Sequence, residues 1–110
     1  MTDPRNTARD AAILDVAGRL ALEHGYRNVT RDMIAAAAGV ASGTVSNYGG
    51  SRFTNGGVPT GSAMARIREA LMRRAVETGD LPIVAQGLAN RDPIALDAPE
   101  QLRMAAMASA

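Results

Sequence analysis

The chain is predicted to be all-α, and three observations carry that prediction. Apolar residues recur at three- and four-residue spacing, the segments that contain them open on Ser, Thr or Asp, and several close on glycine. The expected architecture is three short-to-medium helices in a helix-turn-helix arrangement, a longer fourth helix, and short C-terminal helices.

The first element is "TARDAAILDVAGRLALEHG". Thr7 is read as its N-cap and Asp10 as the box partner that satisfies early N–H groups. Ile13, Val16, Ala17 and Leu20 repeat at helical spacing, Leu14 and Leu22 widen the apolar face, and Gly25 supplies the stop. The predicted helix covers residues 8–23. In "YRNVT", Tyr26 and Val29 are expected to pack back on the core, and Thr30 to cap a second helix, "RDMIAAAA", that ends at Gly39.

A third short helix is predicted to start at Ser42. Two short helices joined by "AGVA" form a helix-turn-helix pattern: the small Ala35 and Ala38 permit a close crossing, Gly39 takes the positive-φ turn position, and Val40 and Val45 fill the angle between helices. An alanine-rich hairpin that does nothing but pack is the alternative reading of the same residues.

The following stretch, "GGSRFTNGGVPTGS" (residues 49–62), holds five glycines and a proline and is not expected to be helical. It is not a phosphate-binding P-loop, because no "G-K-[ST]" follows it and no strand precedes it. Ser62 then caps "AMARIREALMRRAVETG", in which Met64, Ile67, Leu71, Ala75 and Val76 form an apolar stripe. Arg66, Arg73 and Glu77 are placed mainly outside that stripe. Ile83, Val84 and Leu88 predict a short helix, Asp92 with Pro93 begins another turn, and Asp97 with Glu100 reads as a capping box opening a last helix through Met104 and Met107. The expected division is 1–52 as a DNA-binding unit, 53–61 as a loop, and 62–110 as linker and dimerisation helices, all within one compact domain.

Composition limits what such a chain does. At 110 residues it has material for one hydrophobic core. Twelve basic against eleven acidic residues leave a formal charge of +1, so any binding of nucleic acid must come from a local surface rather than from bulk charge. All twelve basic residues are arginine; their planar fork suits phosphate and guanine, and a GC-rich genome produces the same bias. With no cysteine and one histidine, neither a disulfide nor a zinc site is expected, and no cofactor is implied. No apolar run approaches the roughly twenty residues that span a bilayer, so a cytoplasmic protein without membrane contact is expected. No carboxylate pair or nucleophile–base arrangement emerges, and the expectation is a non-enzyme; His24 reads as a helix C-terminal dipole partner.

The residues from 8 to 52 resemble the amino-terminal domain of TetR-type transcriptional regulators. That family has "E-x-G-[YF]-x-x-[VT]-T" followed by "I-A-x-x-A-G-V-[SA]-x-G-T-[LVI]-Y"; this chain has Glu23, Gly25, Tyr26, Val29 and Thr30, then Ile34, Ala35, Ala38, Gly39, Val40, Gly43, Thr44 and Val45. The resemblance implies a third helix in the major groove of duplex DNA, with Thr30 and Arg52 at phosphates. Three departures stand out: Ser46 in place of the usual tyrosine, Gly49 in place of a core-anchoring phenylalanine, and the glycine-rich stretch before the fourth helix.

The residues themselves agree with that implication. Ser42, Gly43, Thr44, Ser46, Asn47 and Tyr48 supply hydroxyls, an amide and a close backbone approach at a short helix; asparagine can pair with an adenine edge and a threonine methyl can meet a thymine methyl. Arg31 begins helix 2, where a cation is unfavourable for the helix dipole; an external anion explains it, and a solvated surface arginine explains it equally.

The function these observations predict is a sequence-specific regulator, a repressor binding a palindromic operator as a homodimer. Leu81, Ile83, Leu88, Leu96, Leu102, Met104 and Met107 are read as too many apolar residues for a small monomer to hide. Two other readings stand beside it: a protein-interaction module on a helix-turn-helix scaffold, and a ligand-responsive regulator with Met64, Met72, Met104 and Met107 lining a cavity.

Overall fold

The computed structural model of the chain describes the backbone of residues 4–49, 54–55, 58–59 and 62–109, and the side chains of residues 8–49 and 62–109. The described residues form helices α1 (Pro4–His24), α2 (Arg31–Ala38), α3 (Ser42–Ser46), α4 (Ala63–Thr78), α5 (Leu81–Ala89), α6 (Pro93–Leu96) and α7 (Glu100–Ser109). Within the glycine-rich stretch, β1 (Thr54–Asn55) pairs antiparallel with β2 (Val58–Pro59), with Asn55 opposite Val58. The stretch is thus non-helical where it is described, and it carries a minimal hairpin that the pattern did not foretell.

Capping accounts for most helix starts. The Thr30 Oγ1 accepts the Met33 N–H at 3.2 Å, Ser62 Oγ accepts from Met64 N at 3.2 Å, and Asp80 and Asp92 accept from the N–H groups of Ile83 (3.4 Å) and Ile94 (2.9 Å). Two expected caps are corrected. Helix α1 opens at Pro4, where a missing N–H costs nothing, so Thr7 lies inside the helix and cannot cap it. Asp97 closes α6 instead of opening α7, which starts at Glu100.

One core runs through the helices. Ile13, Val16, Ala17 and Ala21 of α1 meet Ile34 and Ala35 of α2, Val45 of α3, Ile67, Leu71, Met72 and Ala75 of α4, and Ile83 and Val84 of α5, with Tyr26 and Val29 folded in from the α1–α2 connection. Helix α5 packs on α7, α4 and α6, and also reaches α1. Its Gln86 is a strut: the side-chain NH2 donates to the Ala21 carbonyl at 2.8 Å, while Oε1 accepts the Tyr26 N–H. The end of α1 is thereby tied to the C-terminal helices. Leu22, expected on the apolar face, is half exposed instead, because α1 turns that side to solvent.

The C-terminal helices bury more of their own apolar surface than the sequence predicts. Ile83 is fully buried, and Leu81, Leu88 and Leu102 pack against the core; Leu96, Met104 and Met107 remain exposed at 46%, 62% and 68%. Met72 is fully buried while Met104 and Met107 face outward, so the four methionines do not line a common cavity.

Close packing makes Gly87 irreplaceable. A Cβ there would lie 2.5 Å from Met72 Cε and 2.8 Å from Ala95 Cβ. Met72 is fully buried, so its tip cannot swing out to solvent, and Ala95 belongs to α6 and cannot yield without moving that helix. Gly87→Ala is therefore expected to lower stability by about 1–3 kcal/mol, read as a lower denaturant midpoint. An unchanged midpoint would mean that α4, α5 and α6 are not packed this tightly.

Candidate nucleic-acid interface

A five-residue helix has too few hydrogen bonds to stand alone, so α3 must be held by its neighbours. Val45 is its anchor, fully buried in the core, and α3 packs against α2 and α4. At its start, Gly39 adopts φ 72°, the left-handed turn position, and its N–H closes α2 on the Ala35 carbonyl. At its end, Arg66 of α4 donates from Nη2 to the Ser46 carbonyl at 3.0 Å and from Nε to the Tyr48 carbonyl at 3.3 Å. A cation on the last carbonyls satisfies acceptors that the helix leaves open and complements its dipole. The Gly49 N–H then donates to Asp10 Oδ2 of α1 at 3.1 Å, with Gly49 itself at φ 88°. That left-handed turn gives the glycine at 49 a backbone reason.

The expected site residues divide into three groups. Gly43, Thr44 and Asn47 lie along the open side of α3: Gly43 and Asn47 are exposed, Thr44 is partly so, and a Cβ at Gly43 would meet nothing within 4 Å. Thr30, Arg31 and Ser46 come together with Ser62 and Arg66 around a concavity of about 470 Å³ between α2, α3 and α4. In it, Arg31 Nη1 donates to Ser46 Oγ at 2.9 Å, and Ser46 Oγ donates in turn to the Ser42 carbonyl at 3.2 Å. Ser42 Oγ donates to Asp32 Oδ1 at 2.8 Å, and the same carboxylate lies 3.9 Å from Arg31 Nε. Arg31 is thus oriented by Ser46 and Asp32 while staying half exposed.

Tyr48 forms the third group and is a correction. It was expected to project from α3, but α3 ends at Ser46 and Tyr48 turns inward, 8% exposed, into the core. Arg52, expected at a phosphate, lies outside the described residues.

Two positioning residues escaped the sequence reading. Arg66 was set outside the apolar stripe of α4, yet it clamps α3; a cation in the first turns of a helix, against the local dipole, was the available signal. Asp10 was read as a cap partner and instead accepts from the far end of the helix-turn-helix.

Residues 13–52, from the middle of α1 to just past α3, match the family model described as bacterial regulatory proteins, tetR family. The chain carries a TetR-family helix-turn-helix. With it comes the function of that segment, DNA binding in transcription regulation. The TetR-family match ends before α4, and neither a curated protein nor a solved structure matches the chain. Among the described residues, no group of three His, Cys, Asp or Glu side chains is arranged to hold a metal ion, and no helix is long and apolar enough to cross a membrane.

Proposed function

We propose that the protein is a cytoplasmic, sequence-specific repressor that binds an inverted-repeat operator as a homodimer and performs no catalysis. The observation that carries this reading is the open side of α3, where Gly43, Thr44 and Asn47 face outward from a helix that Val45, Arg66 and Asp10 hold rigidly. A rigid short helix with an amide, a hydroxyl and bare backbone on one side fits base edges in the major groove. Thr30 and Arg31, at the start of α2, flank it and serve as phosphate contacts, with Ser46 orienting Arg31 directly and Ser42 through Asp32. Residues 1–52 then act as the DNA-reading unit, and 62–110 as linker and dimer contact, with Leu96, Met104 and Met107 as the self-complementary apolar patch.

Two copies related by a two-fold axis would read half-sites about one helical turn apart, roughly 10 base pairs. Selection of bound duplexes from a random double-stranded library is therefore expected to enrich an inverted repeat. Met104→Glu with Met107→Glu should abolish the dimer in sedimentation and weaken binding to the full repeat, but not the per-half-site preference. No enrichment from a folded protein would overturn the reading in favour of a protein-interaction module.

A further inference from the structure

On the opposite side of α4 from the α3 concavity lies a second cleft, of about 610 Å³, between the α1–α2 connection, α4 and the α5–α6 connection. Ala65, Arg68, Glu69 and Arg73 face it, whereas Ala63, Met64 and Arg66 face the α3 side. Four arginines converge on it, Arg27, Arg68, Arg73 and Arg91, against two carboxylates.

Both carboxylates are already engaged. Glu69 Oε1 accepts from Arg73 at 2.7 Å. Asp92 accepts the Ile94 N–H at Oδ1 (2.9 Å) and the Tyr26 hydroxyl at Oδ2 (2.7 Å). Burial, reinforced by the Asp92 carboxylate, pushes the Tyr26 phenol well above its ordinary range and keeps it a donor. Among the described residues, no hydrogen bond or ion pair reaches the guanidinium groups of Arg27, Arg68 or Arg91, and Arg68 Nε is buried without an acceptor. A buried N–H of a cation without a partner is a costly arrangement, and an anion in the cleft beside the same guanidinium would offset its uncompensated charge.

Backbone conformation is an independent second observation. Arg91 has φ 55°, the only positive φ at a non-glycine residue among those described. Glycine would occupy that position without strain, yet the chain places there a side chain that carries a cation to the cleft wall.

We propose that this cleft binds the phosphate or carboxylate group of a small molecule, held by Arg27, Arg68 and Arg91 above the Tyr26–Asp92 floor. Planar guanidinium forks from three separate segments suit an oxyanion, and the volume is that of a small-molecule site. The inference does not rest on the DNA reading, because the cleft and the α3 surface share no lining residue.

The test is titration of the full-length protein with inorganic pyrophosphate, and separately with citrate, at constant ionic strength, following the arginine Nε–Hε resonances by NMR. Saturable shifts at Arg68 and Arg91 are expected, and the more strongly bound of the two probes assigns a phosphate or a carboxylate ligand. Arg91→Gly should weaken binding roughly tenfold while leaving the denaturation midpoint equal or higher, and Arg68→Gln should weaken it similarly. A response no different from that to chloride, or binding by both variants as tight as that of the parent protein, would overturn the proposal. So would shifts produced only by non-specific duplex, which would assign these arginines to the DNA backbone.

Discussion

Tyr48→Ala is expected to destabilise the protein by about 3–4 kcal/mol, the loss usual when a large buried aromatic side chain is truncated. The ring is 8% exposed and sits in the core cluster with Ile13, Val16 and Val45. Its backbone carbonyl also accepts from Arg66, so movement of Tyr48 loosens the clamp on the C-terminal end of α3. Urea denaturation should show the lowered midpoint, and DNA binding should fall as a consequence of the disturbed helix. If Tyr48→Ala keeps the parent midpoint but loses DNA affinity, the tyrosine acts at the DNA surface and the packing account of it is wrong.

Asn47→Ala should do the reverse. Asn47 is exposed at the C-cap of α3, where its backbone N–H bonds to the Gly43 and Thr44 carbonyls at 3.2 and 3.3 Å, and the side chain has no role in the core. Stability should change by no more than about 0.5 kcal/mol. If the side chain pairs with a base edge, specific affinity should drop by about 1–3 kcal/mol, with relaxed preference at one position of each half-site. Measured together by denaturation and fluorescence anisotropy, the two variants separate a residue that builds the helix-turn-helix from one that reads through it. Retention of full affinity and the same preferred sequence by Asn47→Ala would remove that residue from the contact.

The contrast between these neighbours marks where sequence reasoning carries and where it stops. Helix caps and stops are local, and Thr30, Gly39 and Ser62 act as their types and positions predict. The apolar stripe of α4 and the burial of Tyr26 and Val29 also follow from spacing alone. What escaped depends on partners distant in the chain. The role of Arg66 depends on where α3 ends, 20 residues earlier, and that of Asp10 on a glycine 39 residues later. The direction of Tyr48 could not be read from period, because α3 ends two residues before it and helical phase is lost there. Gln86 looks like an ordinary polar residue on a short helix, yet its amide bridges Ala21 and Tyr26 across 65 and 60 positions.

Counting apolar residues overstated what the C-terminal helices expose, since a residue count does not say how far α5 sinks between α4 and α7. Among the large apolar side chains described in α5–α7, those that stay exposed are Leu96, Met104 and Met107.

The central claim is that the open side of α3, with the start of α2 beside it, is the surface that meets DNA. Backbone amide chemical-shift mapping on adding the selected duplex tests it most directly. The account predicts the largest perturbations at residues 30–31 and 42–47, with α5 and the cleft at Arg91 little changed. Perturbations concentrated on α5–α7, with α3 silent, would contradict it.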